Sequence, residues 1–197
     1  MQGRDLQYDA LAELLKYPSE TLSEGIDRCR ECLADEAPEV AARINAFREN
    51  VADKSLPDIE EIYIRTFDLN PLCTLDTGWQ LFGEEYNRGL YMVRIRQEMR
   101  RFHIPETSEL PDHLTNVLRV LGRMNEEDAA DFAVSCVVPA VKKLLKGLKK
   151  DKLYRPLIQG ILELLEARYA HYFDDTVDTQ EALNCLQPLA VEEPTHG

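Results

Sequence analysis

The chain predicts a single all-α globule of about eight helices. Three observations lead there. Apolar residues recur at spacings of three and four along most of the length, prolines punctuate the gaps between those stretches, and no run alternates apolar and polar with a period of two. At 197 residues, 44% apolar and 30% charged, the chain can bury one sizeable core.

Leu6, Leu11, Leu14 and Leu15 share a helical face that stops at Tyr17-Pro18, because a proline disfavours helical geometry in the residue before it. Ser19 or Thr21 can cap a second helix running through Cys29 to about Leu33. Pro38 suits the first turn of a third, with Val40, Ile44, Phe47 and Val51 on one face. Pro57 opens a fourth, in which Ile59, Ile62, Tyr63, Thr66 and Phe67 keep the period until Asn70-Pro71. Residues 74–83 read as a loop. Glu84 to Phe102 then read as one long helix, offering Tyr86, Leu90, Met92, Val93, Ile95 and Met99 to the core. A linker through Ile104-Pro105 leads to the stripe Leu114, Val117, Leu118 and Leu121, ended by Gly122. Asn125-Glu126-Glu127-Asp128 caps the next helix and Lys142 to Lys150 close it, each charge favourable to the dipole, with Pro139 expected to kink or split it. Ala133 to Val138 is β-branched but lies within this helical pattern. The last helix carries Leu157, Ile161, Leu164, Leu165 and Tyr169. One domain over 1–173 is expected, followed by an acidic, poorly ordered tail over 174–197.

A net charge of −13 and a pI near 4.8 argue against nucleic-acid binding, which needs clustered positive charge, and favour basic partners. No apolar run reaches the roughly 20 residues that span a bilayer, and Met1-Gln2-Gly3-Arg4-Asp5 lacks a signal-peptide layout. A cytoplasmic protein without stable membrane insertion is expected. Five cysteines, an odd number, fit free thiols better than a disulfide framework.

No catalytic constellation stands out. Cys29-Arg30-Glu31-Cys32 has the CxxC spacing but no second pair to complete a zinc site, and the four histidines lack metal-ligand spacing. No metal or cofactor is expected. Cys73 is the thiol best placed for reactivity, although no histidine neighbours it in sequence. The informative stretch is 62–114. Phe67, Trp79, Phe82, Tyr86 and Tyr91 combine apolar area with polar tips, Glu84, Glu85 and Glu109 could meet cations, and Arg88 lies among them. Pro111, Asp112 and His113 sit at a helix start, where an acid is favoured and an imidazole can donate or accept. Each aromatic residue alone is more often core, and Asp112 and His113 could merely cap their helix. Together the twelve residues form a candidate peptide-binding surface.

At Tyr63 to Asp68, Leu69, Cys73, Gly83 to Gly89 and Glu109 to Leu114, the sequence resembles the nitrate reductase delta-subunit (NarJ-type) assembly chaperones of the wider TorD/DmsD-like group. Residues 19–55 and the tail match only in general character. The resemblance implies a non-enzymatic cytoplasmic chaperone that binds the N-terminal leader of a molybdenum-containing catalytic (alpha) subunit precursor. It would hold that subunit until the molybdenum cofactor is inserted, before membrane targeting, and would carry no cofactor itself. Pro111, Asp112 and His113 correspond to the group's linker motif, associated with leader or nucleotide binding. Asp76-Thr77-Gly78-Trp79 departs from the more apolar start expected of respiratory nitrate reductase chaperones, which leaves other type II molybdoenzymes open as clients. Two readings compete: a permanent structural subunit of the reductase, and a small-molecule enzyme using Asp112, His113 and Cys73. A homodimer, domain-swapped or not, is compatible with all three.

Overall fold

The computed structural model describes residues 5–148 and 153–173, so the tail expected over 174–197 lies outside the described residues. They form one all-helical bundle with no strand among them. The segments are α1 (Leu6–Leu14), α2 (Leu22–Leu33), α3 (Pro38–Val51), α4 (Leu56–Tyr63), α5 (Thr77–Phe82), α6 (Tyr86–Arg101), α7 (Leu114–Leu121), α8 (Glu126–Phe132), α9 (Val138–Gly147) and α10 (Arg155–Arg168).

Local chemistry sets most of these boundaries. Asp5 caps α1 by accepting from the Gln7 amide, Ser55 and Asp58 form a reciprocal capping box on α4, and Asn125 accepts from the Asp128 amide at α8. Pro38 and Pro57 occupy first-turn positions, where a missing N–H costs nothing. α3 packs on α10, and α1 lies against α2 and α7. At the centre Phe67 meets the rings of Tyr154 at 4.9 Å and Tyr63 at 5.1 Å, edge to face, and Phe47 reaches Tyr154 at 5.5 Å.

Two π-helical turns refine the expected pattern. α4 runs into one at Ile64–Asp68, closed by the Leu69 amide donating to the Ile64 carbonyl at 2.9 Å. The extra residue in that turn buries Thr66 and Phe67 and leaves Asp68 exposed at its end. The second, Ala133–Val137, joins α8 to α9 just ahead of Pro139. Pro139 thus enters within the first turn of α9, so the widened turn, rather than a break, absorbs the missing N–H and the ring's clash with the preceding turn.

Other expectations needed revision. The loop expected over 74–83 contains α5, a helix of six residues too short to leave a periodic signal. On α6 the structure buries Tyr91, Ile95 and Met99, whereas Tyr86, Leu90 and Val93, expected to be available to the core, face outward. Cys29, Cys32 and Cys73 are free thiols, but Cys136 is disulfide-bonded, against the expectation of free thiols.

Candidate functional site

Two segments far apart in sequence meet beside α6. The loop 69–76 follows the first π turn, and the linker 102–113 connects α6 to α7. They are tied by main-chain hydrogen bonds from the Leu114 amide to the Leu75 carbonyl at 2.9 Å and from the Thr77 amide to the Asp112 carbonyl at 2.8 Å. An isolated antiparallel bridge pairs Asp76 with His113.

A buried charge network holds the junction. Asp112 is 0% exposed, and its Oδ2 accepts from Arg88 Nε at 2.9 Å while Arg88 Nη2 donates to Asp76 Oδ2, also at 2.9 Å. One guanidinium from α6 therefore clamps both segments, using the fork geometry that suits it to carboxylates. Burial raises the Asp76 carboxyl to about 6, and the nearby Asp112 adds to the rise against the opposing pull of Arg88. Gly78 makes room for the clamp: a Cβ there would stand 2.7 Å from Asp112 Oδ2 and 3.0 Å from Tyr91 Cδ1. Trp79 covers it from outside, with Arg88 5.4 Å over the indole ring and Nε1–H donating to the Pro71 carbonyl at 3.1 Å.

His113 is the N-cap of α7. Its Nδ1 accepts from the Thr115 amide at 3.3 Å and lies 2.8 Å from Thr115 Oγ1. Accepting at Nδ1 puts the proton of the neutral ring on Nε2, which lies 3.9 Å from Glu109 Oε2. Burial, with a smaller contribution from Arg119, lowers the imidazole to about 4, so it is neutral at physiological pH.

These elements enclose a cleft of about 290 Å³ lined by Phe67, Asp68, Thr74, Leu75, Asp76, Ser108, Glu109, Leu110 and His113. Three carboxylates line it and no lysine or arginine does. Burial raises the carboxyl groups of Asp68 and Glu109 above their ordinary range, with Asp68 adding to the rise at Glu109. Exposed Leu110 lies on its wall, and exposed Leu69 follows Asp68 directly. The volume sits at the low end of the roughly 300–1,000 Å³ usual for small-molecule pockets. Among the described residues no group of three His, Cys, Asp or Glu side chains is arranged to hold a metal ion.

The twelve candidate residues fall into three sets. Phe67, Glu109 and His113 line the cleft. Arg88, Tyr91, Pro111 and Asp112 build the junction, with Tyr91 fully buried and its hydroxyl 3.1 Å from Thr77 Oγ1. Trp79, Phe82, Glu84, Glu85 and Tyr86 lie where α5 meets α6; Phe82 packs 5.9 Å from Tyr91, while Glu84, Glu85 and Tyr86 are exposed. Cys73 is buried, and its sulfur accepts from Asn70 Nδ2 at 3.2 Å. Sequence reasoning passed over Asp68, Thr74, Leu75, Asp76, Ser108 and Leu110 as site residues. A usable signal was Asp76 just ahead of Thr77-Gly78, an N-cap position whose carboxylate the structure turns toward Arg88.

No model of a known protein family matches the chain, and none of the curated proteins compared with it is matched.

Proposed function

We propose that this protein is a maturation chaperone that binds the N-terminal leader of a molybdenum-containing catalytic subunit, a nitrate reductase or related type II enzyme, and holds it until its cofactor is inserted. The observation carrying this reading is the acidic cleft between loop 69–76 and linker 102–113, with leucines beside it. A basic amphipathic leader needs carboxylates to steer and orient its cations and apolar surface to retain it. Asp68, Asp76 and Glu109 supply the first, and exposed Leu110 on the cleft wall, with exposed Leu69 beside Asp68, the second. The sequence resemblance to NarJ-type chaperones touches both segments, at Leu69 and Cys73 in the loop and at Glu109 to His113 in the linker. Binding favours the precursor because cofactor insertion removes the accessible form of the leader, which requires only differential affinity for the two states.

The test is calorimetric titration with synthetic leader peptides from candidate molybdoenzyme catalytic subunits. Glu109→Gln and Leu110→Ser are the informative variants, since both side chains are exposed and neither holds the junction together. Each is expected to weaken binding of the cognate leader by roughly tenfold. Trp79→Ala and His113→Ala would confound the result by removing the bond to Pro71 and the cap of α7. If no leader binds, or if both variants bind like the parent, the reading fails.

A further inference from the structure

Helix α6 presents an outward apolar stripe with charges of opposite sign at its two ends. Tyr91, Ile95 and Met99 face the core, and Tyr86, Leu90, Val93 and Gln97 follow at i, i+4, i+7 and i+11 on the opposite side. The three apolar members are 80%, 41% and 52% exposed. A Cβ built on Gly89, on the flank of this stripe, would meet nothing within 4 Å. Glu84 and Glu85 stand exposed at the N-terminal end. At the other end Arg96 and Arg100 share the single carboxylate of Glu106, at 3.8 and 3.5 Å, and Arg101 is also exposed.

We infer that this face docks a second copy of the chain, with the two α6 helices antiparallel about a two-fold axis between Leu90 and Val93. An isologous contact must be self-complementary, and this orientation makes it so. Leu90 meets the partner copy's Val93, Tyr86 lies over its Gln97, and Glu84 and Glu85 reach its Arg96 and Arg100. A parallel pairing instead opposes like charges at both ends. Gly89, having no side chain, lets the helix axes approach. One stripe on a 16-residue helix buries well under the roughly 1,200 Å² of a stable interface. The dimer is therefore weak and sensitive to salt. It uses the side of α6 opposite Tyr91.

Sedimentation equilibrium of the full chain at low salt tests the inference. The weight-average mass should rise from 22.6 kDa toward twice that value with concentration, and fall back in 1 M salt. Val93→Glu should weaken association by at least about tenfold while the helical circular dichroism stays unchanged. The deciding experiment mixes two charge-reversed chains, Glu84→Lys/Glu85→Lys and Arg96→Glu/Arg100→Glu. Each should be monomeric alone, and the equimolar mixture should dimerise, because antiparallel packing brings each reversed end against its reversed complement. A mass fixed at the monomer value up to about 1 mM, dimers of Val93→Glu as strong as the parent's, or no recovery on mixing would overturn the inference.

Discussion

Gly78→Ala should destabilise this protein although it replaces glycine by the best helix former. Gly78 lies in the first turn of α5, where alanine would ordinarily stabilise by up to about 1 kcal/mol. The added Cβ, however, would stand 2.7 Å from Asp112 Oδ2, 3.0 Å from Tyr91 Cδ1 and 3.2 Å from Arg88 Cγ. Asp112 Oδ2 is the atom that accepts from Arg88 Nε, so relieving the clash lengthens or breaks a buried ion pair. Overpacking costs about 1–3 kcal/mol and losing a partner of a buried pair about 3–5, so partial relaxation gives a net loss of about 2–4 kcal/mol. For a chain of this size each kcal/mol lowers the melting temperature by about 2–4 °C. Urea denaturation should show a lower midpoint at unchanged slope. On an Asp112→Ala background, which removes the clashing oxygen, the same substitution should cost under about 1 kcal/mol. A gain in stability in the parent, or equal costs on the two backgrounds, would refute the clamp as the reason for glycine.

Gly147→Ala, whose Cβ would lie 2.4 Å from the Leu72 carbonyl oxygen and 2.9 Å from Cys73 Sγ, should cost about 2–3 kcal/mol and speed amide exchange at Cys73. Tyr91→Phe should cost about 1 kcal/mol through its hydroxyl contact with Thr77 and leave leader affinity unchanged, since the ring has no exposed surface; calorimetry reads the second part. Asp76 and His113 give pH dependences of opposite sign. Asp76, raised from 3.8 to about 6, costs stability as pH rises through that window, and His113, lowered from 6.5 to about 4, costs stability as pH falls through its own. Asp76→Asn should therefore leave His113 uncompensated and lose about 2 kcal/mol more than the parent between pH 6.5 and 4, measured by denaturation at each pH.

The helices were legible because their evidence is local. Caps at Asp5, Ser55 and Asn125, first-turn prolines at 38 and 57, and apolar residues at three and four are all readable within one window. What stayed hidden needed a partner distant in sequence. α5 has six residues and depends on the Thr77 amide reaching Asp112, 35 positions away, and no periodicity encodes that bond. The outward face of α6 misled for a related reason. Tyr86, Leu90 and Val93 are as apolar as a core stripe, and only the arrangement of neighbouring helices determines which of two apolar faces is covered.

The same difference between local and distant evidence governs the site. Pro111-Asp112-His113 stands out in the sequence, and the structure makes Asp112 the buried acceptor of Arg88 and His113 the cap of α7. Such residues are sensitive to substitution because they fix where the linker sits. Of the groups left facing the cleft, Glu109 is a candidate from the sequence, whereas Asp68, Asp76 and Leu110 become site residues only when two distant segments bring them together. A motif of this kind marks the frame of a site more reliably than its contact surface. Substituting the motif would abolish leader binding by dismantling the frame, and that loss could not show where a leader sits. Exchanging Glu109 or Leu110, with the Arg88 clamp intact, separates contact from frame, because an altered affinity at unchanged stability then comes from the surface the linker exposes.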